Sequence, residues 1–490
     1  MRNIKFGTEG WRGVIADEFT FENVILVSKA VAGYLKEKGF STVAVAYDRR
    51  FLSDKFAETS ARVLAENGIN VVLSQSSAPT PAASLYAREH NLGGSVVITA
   101  SHNPYYYNGF KFKPHYGGTA TDDIVAEIVK HLESTEVSST AFGGASARAE
   151  IEKMDIVTPH LEKVASLVEK EALKEAARVL KSSVIFDSMH GATASLFRKV
   201  VKEVLDIREL KVMEIRENEN PLFERGAPEP IPKFMKPLSE AVLKEEAKVG
   251  LTCDGDGDRF AAVMEDGTPL TTHELFPILL LHIIKQKTPD YLEKGLNRVV
   301  KTVSSPMYVD FIAQENSLEV LTVPVGFKFI TEQFLKGGVL MGGEESGGLG
   351  YHFYIPERDG LLSNLLLLEA IGSEGKTLKQ LLEQLWKDYG RYDYGRIDMH
   401  LRKRFDKKAF YEALEELNVE EVQAGDFLFK VDRIDKTDGV KFFFTDRKGW
   451  ILFRASGTEP LVRVYSETLN GEGLKELLEW GMKLVKKLTN

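Results

Sequence analysis

Residues 21–74 read FENVILVSKAVAGYLKEKGFSTVAVAYDRRFLSDKFAETSARVLAENGINVVLS and alternate between helix-like and strand-like segments. Apolar residues recur at helical spacing from Phe21 to Lys38, and the run TVAVAYD after Gly39 is typical of a short buried strand. We expect Ser53 to cap a second helix and INVVLS to form the next strand. This order is typical of βαβ units, so the sequence predicts a parallel sheet.

The same alternation returns twice farther along the chain. Residues 182–254 contain the predicted strands SSVIFD, KVMEI and VGLTCD, with a predicted helix ATASLFRKVVKEV after the first. Residues 273–325 contain a predicted helix HELFPILLLHIIKQ and the predicted strands NRVVKTV and EVLTVPV. After residue 425, strand-like runs follow one another closely and a helix ends the chain, which predicts an antiparallel α+β domain.

The predicted fold class is therefore α/β, with three consecutive mixed α/β domains followed by a C-terminal α+β domain. Val137–Ala149 is rich in small residues and is the clearest predicted linker. Glu374–Tyr389 is predicted to lead into the last domain. The predicted domains are residues 1–143, 150–271, 272–373 and 388–490.

Composition narrows the class of protein further. The net charge of -9 disfavours nucleic acid as a partner, because binding to phosphate backbones depends on basic patches. No apolar stretch is long enough to cross a bilayer, and MRNIKFGTEGWRG does not resemble a secretory signal, so we expect a cytoplasmic protein without a membrane partner. A single cysteine, Cys253, excludes an intramolecular disulfide. The sequence does not distinguish a monomer from a homodimer.

The loop Thr99–Phe112, TASHNPYYYNGFKF, follows the strand-like run SVVI. Ser101 beside His102 offers a nucleophile and a base, but taken alone a Ser-His-Asn run in a loop is more often part of a plain turn, which Asn103 and Pro104 favour. The loop lacks the flanking glycines of a G-x-S-x-G nucleophile elbow. Its position after a strand is nevertheless where ligands collect in α/β sheets.

The loop Cys253–Arg259, CDGDGDR, carries aspartates at alternate positions with glycines between them. Three unpaired carboxylates this close would repel one another, so the pattern indicates a hard cation. An EF-hand is the competing interpretation, and Glu265 stands at its twelfth position. Arg259 stands where the sharp-turn glycine belongs, however, and both flanks are strand-like, so Mg²⁺ in a phosphate-handling site is the better interpretation.

Two further loops offer polar groups to a ligand. GGEESGG at 342–348 presents Glu344 and Ser346, which suit sugar hydroxyls, although an exposed polar turn is an equally good interpretation. RASGTEPLVRVYSE at 454–467 has the groups typical of a phosphate cradle or, alternatively, of a polar turn with an incidental arginine. Its candidate residues are Arg454, Ser456, Gly457, Thr458 and Arg463.

Together, TASHNP-x4-GFK, DGDGDR, GEES and RxSGTEP resemble the α-D-phosphohexomutase superfamily over nearly the whole chain, and FGTEGWRG is similar to its opening motif. The resemblance implies four domains around a central cleft. It also implies a phosphohexomutase that interconverts hexose 1-phosphate and hexose 6-phosphate of glucose and/or mannose. The implied route is a phosphoserine enzyme and a hexose 1,6-bisphosphate, which also serves as activator.

The resemblance also implies residue roles. Ser101 would be the phosphoserine, and one Mg²⁺ per chain would be held by Ser101, Asp254, Asp256 and Asp258. Acid-base and charge-stabilising roles near the reacting hydroxyl would fall to Lys111 and Arg12, with His102 orienting the loop or moving protons. The substrate-binding residues would be Arg259, Lys328, Glu344, Ser346, Arg454, Ser456, Gly457, Thr458 and Arg463.

Two positions depart from some relatives. Gly348 stands where many bacterial phosphomannomutases and phosphoglucosamine mutases carry histidine, and Phe327 stands where some dual-specificity members do. The Glu344-Glu345-Ser346 run favours a glucose phosphate. The alternatives are a phosphoglucosamine mutase, a phosphatase that uses Asp254 as nucleophile, and a non-catalytic sugar-phosphate binding protein.

Overall fold

The computed structural model of the chain describes residues 4–7, 9–134, 149–401, 403, 405–417, 420–456 and 460–489. Three mixed sheets and one antiparallel sheet follow one another along the sequence, so the predicted fold class is confirmed. The predicted linker Val137–Ala149 lies outside the described residues except for Ala149. In the described part of the chain, no helix is both long and apolar enough to cross a membrane.

The first unit is built on a six-stranded sheet. Its elements are β1 (Trp11–Val14), α1 (Phe21–Glu37), β2 (Thr42–Tyr47), α2 (Ser53–Glu66), β3 (Asn70–Ser74), α3 (Thr80–Glu89), β4 (Gly94–Ile98), β5 (Tyr107–Pro114), α4 (Asp122–Ser134) and β6 (Ile151–Met154). The strand order is β1-β5-β4-β2-β3-β6, with β2, β3, β4 and β6 parallel. The last strand, β6, extends this sheet although its residues follow the predicted linker.

Ser53 does not cap α2 as predicted. It is the first helical residue, and Leu52 occupies the N-cap in the left-handed region with φ 60°. The Ser53 hydroxyl donates instead to Asp48 Oδ1 at 2.8 Å. A buried carboxylate at the end of β2 therefore takes the hydroxyl that would otherwise have bonded to the helix amides.

The second and third units have smaller sheets. The second contains α5 (Val157–Ser166), α6 (Lys170–Leu180), β7 (Val184–Asp187), α7 (Leu196–Lys199), β8 (Val212–Ile215), α8 (Lys236–Lys244), β9 (Val249–Cys253), β10 (Phe260–Met264) and β11 (Pro269–Leu270), in strand order β11-β10-β9-β7-β8. The helix predicted over ATASLFRKVVKEV is shorter than expected, since α7 has four residues and continues as a π-helical turn over Val200–Val204.

The third unit contains α9 (Thr272–His282), β12 (Arg298–Thr302), α10 (Tyr308–Glu315), β13 (Glu319–Val323), α11 (Phe327–Lys336), β14 (Val339–Gly343), β15 (Leu349–Tyr351), α12 (Gly360–Glu374) and α13 (Leu378–Tyr389), in strand order β13-β12-β14-β15. Helix α12 is buried along almost its whole length. It crosses α6 so closely that a Cβ on Gly372 would lie 1.8 Å from the carbonyl oxygen of Ala172. The second and third units therefore share one core.

The fourth unit is an antiparallel sheet with a terminal helix. Its elements are β16 (Tyr392–His400), α14 (Lys407–Glu416), β17 (Glu421–Ala424), β18 (Phe427–Asp435), β19 (Val440–Phe444), β20 (Gly449–Ala455), β21 (Leu461–Leu469) and α15 (Leu474–Thr489), in strand order β16-β21-β20-β19-β18-β17. It has a hydrophobic core of its own. The four domain boundaries stay predictions.

Candidate active site

Ser101 lies in the loop between β4 and β5 and is fully buried. Its φ of 52° is in the left-handed region, which a non-glycine residue adopts only when its surroundings hold it there. The Ser101 amide donates to Thr99 Oγ1 at 2.9 Å, and its hydroxyl donates to Asp254 Oδ2 at 2.8 Å. The serine therefore faces the aspartate loop of the second unit.

A buried arginine holds this loop in place. Arg50 follows β2, and its Nε donates to Asp48 Oδ2 at 3.1 Å. Asp48 Oδ2 also accepts from Thr99 Oγ1 at 2.6 Å. Burial raises the pKa of Asp48, although Arg50 and the hydroxyl donors oppose the rise. The other guanidinium nitrogens of Arg50 donate to the carbonyl oxygens of Ser101 (2.5 Å), Asn103 (2.7 Å), Pro104 (3.0 Å) and Tyr107 (3.2 Å).

The aspartate loop lies between β9 and β10 and presents Asp254, Asp256 and Asp258, all fully buried. One carboxylate oxygen from each lies within 4.8 Å of the others. Among the described residues, Oδ1 of Asp256 and Oδ1 of Asp258 have no hydrogen-bond partner although they are buried. Buried carboxylate oxygens without donors are an arrangement that a hard cation such as Mg²⁺ satisfies, so the residues fit the predicted metal.

Glycine at position 255 permits the two loops to approach. A Cβ on Gly255 would lie 2.5 Å from the carbonyl oxygen of Ser101, closer than any side chain tolerates. Gly257 has φ 75°, a conformation that glycine adopts without steric penalty. The alternating glycines that the sequence shows are therefore required by a close backbone approach and by a left-handed turn.

Lys111 on β5 reaches the same carboxylates. Its Nζ donates to Asp256 Oδ2 at 2.6 Å and to Asp258 Oδ2 at 3.1 Å, and it lies 3.6 Å from Glu9 Oε2. Burial lowers the pKa of Lys111, but the three carboxylates more than offset this effect and the pKa is raised. For Asp254, burial raises the pKa of the carboxyl group, and the negative charges of Asp258 and Asp256 raise it further.

Arg12 and His102 both lie at the loop that carries Ser101. Arg12 Nη1 donates to Asn103 Oδ1 at 2.6 Å, and His102 Nδ1 lies 3.2 Å from Ser101 Oγ. Burial lowers the pKa of His102 well below its usual value, and the positive charges of Arg259, Arg12 and Lys111 add to the effect. The side chains predicted to surround the reacting group are thus brought together from β1, β5 and the β4–β5 loop of the first unit and from the β9–β10 loop of the second.

Arg358, which precedes α12, is a central residue that the sequence did not indicate. Its guanidinium is buried and donates to Asp258 Oδ2 at 2.7 Å and Glu344 Oε2 at 3.0 Å, and it also binds Glu9. It lies over the Phe327 ring, 5.1 Å from the centroid. Arg358 therefore joins the N-terminal motif, the aspartate loop and the GGEESGG loop of the third unit.

The predicted sugar loop, GGEESGG at 342–348, connects β14 to β15. Glu344 is buried, and burial raises its pKa to about 7 although Arg358 lowers it. Ser346 is half-buried in the same loop. Lys328, near the start of α11, donates to Asp122 Oδ1 of α4 at 2.5 Å.

The predicted phosphate loop connects β20 to β21. Arg454 and Arg463 are directly opposite each other on these strands, an arrangement that is destabilising without anions nearby. Arg454 Nε donates to Asp438 Oδ2 at 2.7 Å, and Arg463 Nε lies 3.6 Å from Asp398 Oδ2. The amide of Ser456 donates to the carbonyl of Leu461 at 2.7 Å, whereas Gly457 and Thr458 lie outside the described residues.

Arg259 completes the set of predicted residues. Its side chain is largely buried, with Nε 3.9 Å from Asp258 Oδ1.

Four residues that contact the predicted ones were not indicated by the sequence. They are Glu9, Arg50, Arg358 and Asp438, whose side chains form hydrogen bonds or ion pairs with the predicted residues or their loops. The available signal for Arg50 was its place at the carboxyl end of a predicted strand, where single charged residues are common. Arg358 had no such signal, because the helix that follows it was not predicted.

Four domain families match this chain in order. They are phosphoglucomutase/phosphomannomutase alpha/beta/alpha domains I (residues 3–138), II (158–267) and III (272–389), and the C-terminal domain (403–479). The chain belongs to the phosphoglucomutase/phosphomannomutase family. The predicted superfamily is thereby confirmed, and the chain is a member of a family of intramolecular phosphotransferases.

Individual relatives cover the whole length. The "Phosphoglucomutase/phosphomannomutase" of Thermococcus kodakarensis is 30% identical over 98% of both chains. The "Phosphoglucosamine mutase" of Carboxydothermus hydrogenoformans is 29% identical over 99% of both. The crystal structure of a "putative phosphomannomutase" from Thermus thermophilus is 32% identical and superposes with a TM-score of 0.83 over 99% of both chains.

Proposed function

We propose that this protein interconverts hexose 1-phosphate and hexose 6-phosphate, of glucose and/or mannose, through phosphorylated Ser101 and a hexose 1,6-bisphosphate. The contact that carries the proposal is the 2.8 Å hydrogen bond from Ser101 Oγ to Asp254 Oδ2. It places a hydroxyl that can bear phosphate beside three buried carboxylates, with Lys111 against two of them. A family of phosphoryl-transferring mutases supports the same conclusion.

The reaction consists of two transfers in opposite directions. In the first, the bond between phosphorus and Ser101 Oγ breaks while a bond forms to the free hydroxyl of the hexose phosphate, which gives the bisphosphate. The hydroxyl proton passes to a base of the site, for which His102 is the candidate, because its Nδ1 lies 3.2 Å from Ser101 Oγ and its lowered pKa keeps the imidazole neutral. Lys111, whose pKa is raised, stays protonated and offsets negative charge. In the second, the bond between the other phosphorus of the turned bisphosphate and its sugar oxygen breaks while a bond forms to Ser101 Oγ. The sugar oxygen takes up the proton that the base holds, and the isomeric hexose phosphate leaves.

Asp254, Asp256 and Asp258 would hold Mg²⁺ together with an oxygen of phosphorylated Ser101. When bound, the cation offsets negative charge on the transferred phosphoryl group. The chain's own residues contribute in the same sense, because the positive charge of Lys111 lies against this carboxylate cluster. Hexose 1,6-bisphosphate would act as the activator that first phosphorylates the serine.

The other end of the substrate requires its own contacts. Arg454, Ser456, Gly457, Thr458 and Arg463 are proposed to bind the phosphate that does not react. Glu344, Ser346, Arg259 and Lys328 are proposed to bind the sugar, so that one site accepts the bisphosphate in both orientations.

The decisive experiment is intact mass and peptide mapping after incubation with glucose 1,6-bisphosphate and Mg²⁺. Wild type should gain one phosphate on the Ser101 peptide, and Ser101→Ala should gain none. Phosphate on the Asp254 peptide of wild type would overturn the serine mechanism. So would phosphate uptake by Ser101→Ala that Asp254→Asn lacks, because an aspartate nucleophile predicts that result. Folding of each variant is checked by circular dichroism and thermal unfolding.

The sugar is tested separately. Relatives carry the names of both phosphoglucomutase/phosphomannomutase and phosphoglucosamine mutase. We propose a preference for glucose phosphate, since Glu344, Glu345 and Ser346 form the sugar loop. Coupled assays with glucose, mannose and glucosamine 1-phosphates give kcat/KM for each, and a higher value for glucosamine 1-phosphate would favour the alternative. No turnover of any of the three would favour a binding protein.

A further inference from the structure

The turn between β18 and β19 holds a carboxylate at a fixed place beside the predicted phosphate loop. Asp435 Oδ1 accepts from the Thr437 amide at 2.8 Å and from its hydroxyl at 2.6 Å, which closes the turn. Gly439 follows with φ 106°, and a Cβ there would lie 2.3 Å from the carbonyl oxygen of Phe453. Asp438 lies between these two constraints, so its backbone has little freedom.

The Asp438 carboxylate joins two units of the protein. Its Oδ2 accepts from Arg454 Nε at 2.7 Å and also from the amide of Val325 at 3.0 Å. Val325 belongs to the loop between β13 and α11, three residues before Lys328. One carboxylate oxygen of the fourth unit therefore binds Arg454, which is proposed to bind the phosphate, and also a backbone amide of the third unit.

The contact also fixes the direction of the guanidinium. Arginine is planar, so a bond at Nε determines where both terminal nitrogens point. Among the described residues, no acceptor lies within hydrogen-bonding distance of those two nitrogens of Arg454. They remain available to bind an oxyanion in the bidentate manner that suits phosphate. The side chains of Asp438 and Arg454 are 24% and 17% exposed, so solvent screens the pair only in part.

We propose that Asp438 is a positioning residue that orients Arg454 towards the non-reacting phosphate and ties that orientation to the loop at 324–326. The inference rests on the proposed function, in which Arg454 binds that phosphate. Loss of the carboxylate should therefore weaken binding of the phosphorylated substrate while leaving the reacting group at Ser101 unchanged.

The test compares steady-state kinetics of wild type, Asp438→Ala and Asp438→Asn with glucose 1-phosphate. We expect KM to rise about 10-fold in Asp438→Ala, with a smaller rise in Asp438→Asn, which keeps one acceptor oxygen. We expect kcat to stay within about 2-fold, because the second phosphate contact acts mainly on binding. Asp432→Asn is the matched control, since Asp432 is exposed on β18 and pairs with its neighbour Arg433.

A second readout separates positioning from general damage. Transfer from the phosphorylated enzyme to unphosphorylated glucose involves no second phosphate, so its rate should be the same in wild type and Asp438→Ala. The proposal would be overturned if the KM for glucose 1-phosphate were the same in Asp438→Ala and wild type. It would also be overturned if kcat for glucose 1-phosphate and the rate of transfer to glucose fell by the same factor in the variant. If Asp438→Ala fails to fold, Asp438→Glu, which keeps the charge, takes its place. Its KM should lie between that of wild type and the value expected for Asp438→Ala. Failure of wild type to turn over any hexose phosphate would instead contradict the proposed function.

Discussion

A Cβ on Gly348 would lie 2.1 Å from Cδ of Arg358, so the arginine occupies the space that any side chain at position 348 would need. Arg358 cannot move away easily, because Asp258, Glu344 and Glu9 hold its guanidinium. The absence of a histidine at this position therefore has a steric reason. The space beside the sugar loop is filled by an arginine instead.

Gly348→Ala should destabilise the fold and reduce activity. Overpacking of a tight site costs about 1–3 kcal/mol of unfolding free energy, and a displaced Arg358 should lower kcat at least about 10-fold. Urea unfolding and the coupled mutase assay measure the two effects. In an Arg358→Ala background the added methyl group has room, so the stability cost of Gly348→Ala should largely disappear. An equal cost in both backgrounds would contradict the steric explanation.

Glu344 should make stability depend on pH. Its pKa is raised from 4.5 to about 7 by burial, so the folded state binds more protons than the unfolded state between these values. The contribution of protonated Glu344 to the unfolding free energy is fully present below pH 4.5. It is lost as the pH rises to about 7, so that the unfolding free energy falls by about 3 kcal/mol in total.

Glu344→Gln removes this titration, so its unfolding free energy relative to wild type should increase from pH 5 to pH 7 and then level off. Urea unfolding at several pH values measures the difference. Glu293→Gln, at an exposed position, is the control for the exchange of a glutamate for a glutamine. A constant difference for Glu344→Gln would mean that Glu344 titrates normally.

Mg²⁺ should stabilise the protein through the three aspartates. Binding to the folded state alone adds about 2.7 kcal/mol when the free ion is about 100 times its Kd. The increment in unfolding free energy between EDTA and saturating Mg²⁺ should vanish in Asp256→Asn. It should persist in Asp266→Asn, whose exposed carboxylate lies in the turn after β10. A larger increment with Ca²⁺ than with Mg²⁺ at equal concentration would favour a calcium site.

Arg50→Lys should loosen the serine loop although it keeps the charge. Lysine cannot bind Asp48 and four carbonyl oxygens at once, so we expect a loss of about 2–4 kcal/mol in unfolding free energy. Phosphorylation of Ser101 by glucose 1,6-bisphosphate should also slow, which quenched-flow mass spectrometry measures. The neighbouring Arg49→Lys is the control, because Arg49 donates to one distant carbonyl, that of Glu217, at 2.8 Å. Equal effects of the two substitutions would show that Arg50 has no special role.

Several segments of the first unit were predictable from the sequence, because their apolar residues recur at helical spacing or form short runs after a glycine. The helix at Phe21–Glu37 and the strands at Thr42–Tyr47 and Asn70–Ser74 lie where the periodicity placed them. Helix Gly360–Glu374 was not predicted, because it is buried on all sides and its leucines show no helical periodicity. The stretch Glu374–Tyr389, interpreted as a connection, contains helix Leu378–Tyr389.

The sequence by itself determined the family, the order of the four units and the loops that carry Ser101, the three aspartates and the residues proposed to bind the sugar and the phosphate. It could do so because those residues lie in short motifs at strand ends. Only the tertiary structure decided which residues support them. Arg50, Arg358 and Asp438 each bind groups that lie far away in the chain, across 51, 100 and 113 residues for Ser101, Asp258 and Val325. Contacts at such separations follow from how the sheets pack, and no local pattern encodes them.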